Sequence, residues 1–271
     1  MPIHPTAVVD IAAEIDGSAS IGPHAVVSGP VTIGPDCVLS PAAIVMGHTT
    51  LEAGCHLHSR AVVGDAPQDL KYHGEASYCR IGEGSVIREG ATVHHGTAAG
   101  TATIVGKRCL LMTNSHVGHN SELSDDVILV SGALLGGHVH VGPRAIVSGN
   151  AAVHQHVRIG ELSLVGMLAR ITQDVPPFCI TDQGGNVIAE NRVGMKRAGL
   201  TLGERAELRA AFGAIYREGI GRNAAVQYLQ DTMKTEAGQR LLAFYARGSG
   251  MRLYDPGSAA YLRLSSASKR L

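Results

Sequence analysis

Every sixth residue over the first two-thirds of this chain is aliphatic. Stepping by six from Ile3 to Ile171 visits 29 positions, and 26 of them are Ile, Leu or Val; only Asp69, Glu75 and Ala99 break the series. Four places after each aliphatic residue comes a small or β-branched one, such as Ala7, Ala19, Cys37, Thr49 and Ala61. Gly often follows the aliphatic residue directly, as at Gly22, Gly118, Gly136 and Gly160. A period of six fits neither the 3.6 of a helix nor sustained strand alternation, but it fits a short strand plus a turn, repeated. The aliphatic side chain then points inward, the small one sits beside it, and Gly is expected to supply unusual backbone angles at the corners. With no Trp and three Phe in 271 residues, the interior is filled by small aliphatics, as a β-solenoid requires.

The hexads resemble the repeat of the left-handed parallel β-helix over about residues 3 to 176. That resemblance implies triangular coils of 18 residues, stacked about 4.8 Å apart. Two interruptions, at 64–80 and 98–104, keep the six-residue phase and read as loops extruded from the prism, where function commonly resides. The hexad disappears after Pro176-Pro177. Thr201-Leu-Gly-Glu204 has the form of a capping box, and Leu208, Ala211, Phe212, Ile215 and Tyr216 follow at helical spacing up to Gly219 and Gly221. Two further helices are expected over about 223–234 and 236–247, and the final SSASKRL reads as a disordered tail. The expected division is a β-helix over 1–190 and an α-helical domain over 191–271.

Lys plus Arg equals Asp plus Glu at 23 each, which argues against a broad nucleic-acid or anionic-membrane footprint. The N-terminus has no basic segment followed by an apolar one, and no run approaches the ~18 apolar residues of a spanning helix. A cytoplasmic location is expected. Five widely spaced cysteines without C-x-x-C suggest neither a disulfide framework nor a zinc ribbon; Cys37, Cys55 and Cys109 read as small buried residues.

Counted modulo 18, His119, Gly137 and Gln155 share one corner in successive coils, with His138 and His154 each one step away and His116 half a hexad before His119. A polar stripe on an apolar, Gly-rich prism is a candidate site. Near neutral pH an imidazole can accept a proton from an alcohol, which acyl transfer to a hydroxyl demands. A thioester donor also needs an N–H for its developing oxyanion, and Gly136-Gly137 offers one a coil above His119.

The first loop contains QDLKYHGE (Gln68 to Glu75). With HVGHN, GGHV, AVHQ and QDVPPF, in that order, it resembles the bacterial family of acyl-acyl carrier protein:UDP-N-acetylglucosamine O-acyltransferases, which open lipid A biosynthesis. The resemblance implies transfer of a 3-hydroxyacyl group from acyl carrier protein to the sugar 3-hydroxyl by a homotrimer with sites between neighbouring prisms. No cofactor is implied beyond the donor's own phosphopantetheine arm, and no metal. His119 matches the general base and the Gly137 N–H the oxyanion donor. Asp69, Lys71, His116, His138, His154 and Gln155 match substrate contacts, and Asn191 and Arg197 match positions toward the nucleotide or the carrier arm. Met167 matches the floor of the acyl groove, where a bulky residue favours a medium-length chain. His116 favours a hydroxyl over an amino acceptor.

One residue departs from the family pattern: Asn120 follows the base where an Asp is usual. A carboxylate beside an imidazole favours its charged form, and a neutral amide does not, so a weaker base is expected unless another carboxylate assists. The acidic carrier protein calls for a local basic patch, with Lys196, Arg197, Arg170 and Arg192 as candidates. Three other readings stand beside this one: a related hexapeptide acyltransferase acting on another nucleotide sugar, a zinc γ-type carbonic anhydrase, for which the chain has imidazoles enough, and a non-catalytic scaffold, against which the corner cluster speaks.

Overall fold

The computed structural model describes residues 3–247. From Val8–Val9 to Arg170–Ile171 the chain lays down short parallel strands on three faces, nine, eight and eight to a face, and two later strands bring the third sheet to ten. Within each face, neighbours are three strands apart in the chain. Partners across a face stand 18 residues apart, as for Val8 with Val26, Leu134 with Ala152, and Ala152 with Arg170.

Two steps are longer. Val62 pairs with Thr92 and Thr92 with His116; these separations exceed 18 by 12 and by 6. Both excesses are multiples of six, which is why the hexad phase survives the loops. The first excursion is shorter than the expected 64–80, and the second is displaced by three residues from the expected 98–104. Tyr78–Ile81 pairs along its whole length with His48–Leu51 and with Ala102–Val105, so the chain leaves the prism over 66–77 and 95–101 only. Hydrophobic phase cannot reveal these strand ends, because the small inward positions Thr49, Cys79 and Thr103 are fully buried without being large aliphatics.

The corners correct one expectation. Gly22, Gly118, Gly136 and Gly142 do not adopt positive φ. The left-handed position falls two residues later. Gly takes it at Gly54, Gly84, Gly90 and Gly132, but ordinary side chains occupy it in most corners, among them His24, Asp36, Asn114, Asn120, His138, Asn150 and His156, with φ between 54° and 64°. Asn and Asp tolerate that region through local hydrogen bonds. Gly follows the aliphatic residue for another reason. A Cβ on Gly118 would meet the Gly136 carbonyl carbon at 2.7 Å, and one on Gly142 the Glu161 nitrogen at 2.6 Å. The glycines let successive coils touch.

Inside the prism Leu57, Leu111, Leu129 and Leu135 are completely buried among Val, Ala and Cys, with no aromatic ring in the cluster. Each such Leu contributes about 1.5–3 kcal/mol by burial. The stack ends where Cys179–Thr181 joins one face and Val187–Glu190 turns back antiparallel against it as the last strand of that sheet.

Four helices follow: α1 (Arg192–Arg197), α2 (Leu202–Phe212), α3 (Arg222–Thr232) and α4 (Glu236–Ala246). The capping box is formed in both directions between Thr201 and Glu204. After α2 a π-helical turn, Gly213–Arg217, carries the chain to Gly219, whose φ of 74° ends it. The short α1 is unannounced by periodicity. Its N-cap is Asn191, whose Oδ1 accepts from Gly194 N while Nδ2 donates to Leu162 O, 2.7 Å away. The helices enclose a second core of Phe178, Leu208, Phe212, Tyr216, Leu229 and Tyr245 that reaches Leu162 and Val187 of the solenoid's end. Buried Glu190 ties the two parts together by accepting from both Arg192 and Arg209. Among the described residues no helix is long and apolar enough to cross a membrane. The terminal SSASKRL lies outside them.

Candidate active site

Val117 points inward at the end of its strand, so the next three residues must round a corner. Gly118 lies against the following coil, His119 projects outward, and Asn120 takes the left-handed conformation at φ 59°. One coil on, the same corner carries Gly136, Gly137 and His138, and the next carries His154, Gln155 and His156. The His138 N–H donates to the His119 carbonyl and the His156 N–H to that of Gly137. The stacking expected from the 18-residue count is therefore direct.

Beside this corner lies a cleft of about 590 Å³ into which His116, His119, Gly137, His154, Gln155 and the loop residue Gln68 face. Its floor is the outward side of the face carrying Leu134, 47% exposed, and Ala152. The His119 imidazole packs on Gly137 so closely that a Cβ there would collide with Cε1 and stand 2.5 Å from Nε2. The Gly137 N–H has no acceptor among the described residues and is left free at the cleft wall.

His119 Nδ1 lies 3.0 Å from Asn120 Oδ1, and Nε2 lies 4.0 Å from Asp69 Oδ2. A carboxylate is thus near the imidazole, but on the nitrogen opposite the one a supporting residue would hold. Asp69 is therefore not a substitute for an acid at position 120. The Lys71 N–H donates to Asp69 Oδ1, fixing the loop turn, while the Lys71 side chain is exposed.

His116 is held by Thr92, Nδ1 to Oγ1 at 2.7 Å, and by the edge of His94. Burial, with His94 and His119 as neighbours, pulls its pKa down to about 4, so it is a neutral hydrogen-bonding group near pH 7. His138 does not line the cleft. Its ring buttresses His119 edge-on at 5.2 Å and stacks on His156 at 4.6 Å, and burial, then His156 and His119, lower its pKa. His156 completes this ladder; no motif marks it, though it stands 18 residues after His138.

The two loops brace each other. Buried His95 bonds Ser77 at 2.7 Å and meets Tyr72 edge-on, and the Gly100 N–H donates to the Ala76 carbonyl. Asp69 and the segment facing Asn120 are therefore held on one ordered ledge.

A family model described as UDP N-acetylglucosamine O-acyltransferase, domain 2, matches residues 174–252. A curated acyl-[acyl-carrier-protein]--UDP-N-acetylglucosamine O-acyltransferase from Anaeromyxobacter dehalogenans (strain 2CP-1) is 43% identical over 232 residues, which are 85% of this chain and 90% of the relative. The chain belongs to the acyl-acyl carrier protein:UDP-N-acetylglucosamine O-acyltransferase family. The solved Francisella novicida UDP-N-acetylglucosamine acyltransferase superposes with a TM-score of 0.91 at 31% identity, covering 95% of this chain and 96% of its own. The Moraxella catarrhalis RH4 enzyme gives 0.89 at 33%, with 93% and 99% covered. The fold is thus the left-handed parallel β-helix, the chain is an acyltransferase, and the carbonic anhydrase alternative falls.

In this acyltransferase the remaining expected residues fall in three places. Met167, 64% exposed, stands at the other edge of the cleft-bearing face from His119; it is not packed into a coil. Asn191 is buried with both side-chain groups engaged inside the chain. Arg197 and Lys196 occupy the last turn of α1, where a cation suits the helix dipole, and both are exposed. Arg170 is exposed on the cleft-bearing face. Arg192 is committed to Glu190, which weakens its candidacy for a partner patch.

Proposed function

We propose that this acyltransferase moves a 3-hydroxyacyl group from acyl carrier protein to the 3-hydroxyl of UDP-N-acetylglucosamine, the opening step of lipid A biosynthesis. The observation that carries the reading is the His119 imidazole, with Nδ1 engaged by Asn120 and Nε2 facing the cleft beside the free Gly137 N–H. Nε2 takes the proton from the sugar hydroxyl as its oxygen attacks the thioester carbon. The tetrahedral oxyanion accepts from the Gly137 N–H, a type of contact worth ~2.7–4 kcal/mol. Collapse expels the carrier's thiolate, which recovers the proton from Nε2. Both acyl group and leaving group arrive on the donor, so the reaction needs no resident cofactor or metal.

Asp69, Lys71, His116, His154 and Gln155 are assigned to the acceptor, with Asn191 and Arg197 toward the nucleotide or the carrier arm. His138 holds the base from behind. The acyl chain runs over Leu134 and Ala152 toward Met167, whose bulk favours a medium length. A homotrimer whose neighbours close the cleft, working in the cytoplasm, completes the reading.

The test is to incubate the pure protein with UDP-N-acetylglucosamine and a panel of 3-hydroxyacyl carrier proteins. His119→Ala is expected to lower kcat by about 10²–10⁴. An absence of product with every chain length overturns the assignment, and an unimpaired His119→Ala overturns the general base. Met167→Gly is expected to shift preference to longer chains; an unchanged preference removes Met167 as the ruler.

A further inference from the structure

The atom that His119 Nδ1 meets belongs to a carboxamide, whose oxygen and nitrogen have nearly the same shape and can be exchanged by a half-turn. Something must choose between them, because the two ends ask opposite things of the imidazole. The choice is made by a residue of the second loop, 23 positions earlier in the chain. The Thr97 backbone N–H points at Asn120 Oδ1 from 3.1 Å, and the Thr97 hydroxyl donates to the same oxygen at 2.9 Å.

A backbone N–H can only donate. The atom facing it must therefore be the carboxamide oxygen. His119 Nδ1, 3.0 Å from that same oxygen, must then be the protonated nitrogen, which leaves Nε2 bare toward the cleft. Were the amide turned over, its NH₂ would confront the Thr97 N–H, and Nδ1 would have to accept, placing the ring proton on Nε2. An imidazole in that form cannot take a proton from a hydroxyl.

We infer that Thr97 is a positioning residue for the reaction: it orients the Asn120 carboxamide and thereby selects the His119 tautomer that is competent as a base. The inference deepens the general-base reading and rests on it. The ledge on which Thr97 sits is anchored independently of the site, by Ser77 on His95 and Gly96 and by the Thr101 hydroxyl on Ala98 O. The orientation therefore does not depend on bound substrate. A carboxylate at position 120 would present two equivalent oxygens and would need no such device; the amide does.

That difference supplies the test. Thr97→Val keeps the shape and the backbone N–H but removes the hydroxyl donor, so the choice of orientation is weakened without being abolished; it is measured in the native protein and in an Asn120→Asp background. The expected result is a kcat lowered about tenfold by Thr97→Val in the native protein, restored by Thr97→Ser, and lowered less than about twofold when residue 120 is Asp, a coupling typical of residues in one network. Nitrogen-15 spectra of histidine-labelled protein read the tautomer without turnover. His119 is expected as the Nδ1–H form, with Nε2–H growing in Thr97→Val. Equal losses in both backgrounds, or an Nε2–H resting form, overturn the inference. Failure of the general base itself is separable, since an active His119→Ala would leave the tautomer measurement standing.

Discussion

The solenoid and the helical domain bury apolar surface by opposite means. The prism uses one type of contact many times: an inward aliphatic residue every sixth position, small neighbours, and no aromatic ring. The helical domain uses each contact once, and all three Phe of the chain, Phe178, Phe212 and Phe244, lie in it or at its junction with the last coil. All fourteen histidines lie on the solenoid side, none beyond His156. Repetition makes a rigid frame whose corners can be edited without disturbing the core, and the polar stripe with its chemistry sits on that frame. The helices cover the open end, and Glu190 with Arg192 and Arg209 secures them there.

Glycine substitutions should expose the contrast most sharply. In the solenoid Gly142→Ala drives a Cβ to 2.6 Å from the Glu161 nitrogen, and its nearest neighbours are all backbone atoms of Gly160 and Glu161, with nothing flexible to yield. The expected outcome is loss of several kcal/mol or failure to fold, read by chemical denaturation. If Gly142→Ala is neutral, the coils are not in the contact described.

Mild acid, between pH 7 and pH 5, should act next, and chiefly on the solenoid, which carries every histidine. Burial, then His94 and His119, hold His116 near 4 against an unfolded value of about 6.5. Between those values the unfolded chain binds the proton that the folded chain refuses, so the stabilising contribution is complete above pH 6.5 and is lost as pH falls toward 4. Burial lowers His94 too, and adds in the same direction. The denaturation midpoint of the solenoid amides, followed by hydrogen exchange, should fall between pH 7 and pH 5. His116→Asn should flatten that slope, and an identical slope in both proteins would remove His116 from the account.

The smallest expected effect has the opposite sign. Gly213, at the α2 to π-turn junction, has helical φ, and a methyl group added to its Cα would meet no atom within 4 Å. Gly213→Ala should raise stability by about 0.5–1 kcal/mol, as for Gly in any helix interior. A decrease would mean that the π-helical turn needs glycine for a reason that packing does not reveal.

Legibility followed the same division. The six-residue phase announced the prism and its core, and because the two insertions lengthen the 18-residue step by multiples of six it also carried the site column across both interruptions. His119, Gly137 and Gln155 could be stacked by counting, and the Thr201 cap could be read from four residues. The ends of the loops could not be read, since Tyr78–Ile81 and Ala102–Val105 are made strands by partners that are distant in sequence. Nor could α1, which is six residues long and held by the Asn191 cap and the buried Met195. Composition alone does not separate two kinds of corner glycine: those that follow the aliphatic residue make room for the next coil, while Gly54, Gly84, Gly90 and Gly132 take the left-handed angle that other coils give to Asn, Asp, His, Arg, Ala or Leu.

The sequence by itself determined the repeat, the stacking column and the chemical kinds of group in the cleft, because each depends on spacing along one chain. Only the tertiary structure decided which nitrogen of His119 meets Asn120, that Asp69 lies on the other side of the ring, and that Thr97 reaches the amide. Those facts depend on loops that return to the prism from outside the repeat. Their direction is set by hydrogen bonds among residues that no period relates.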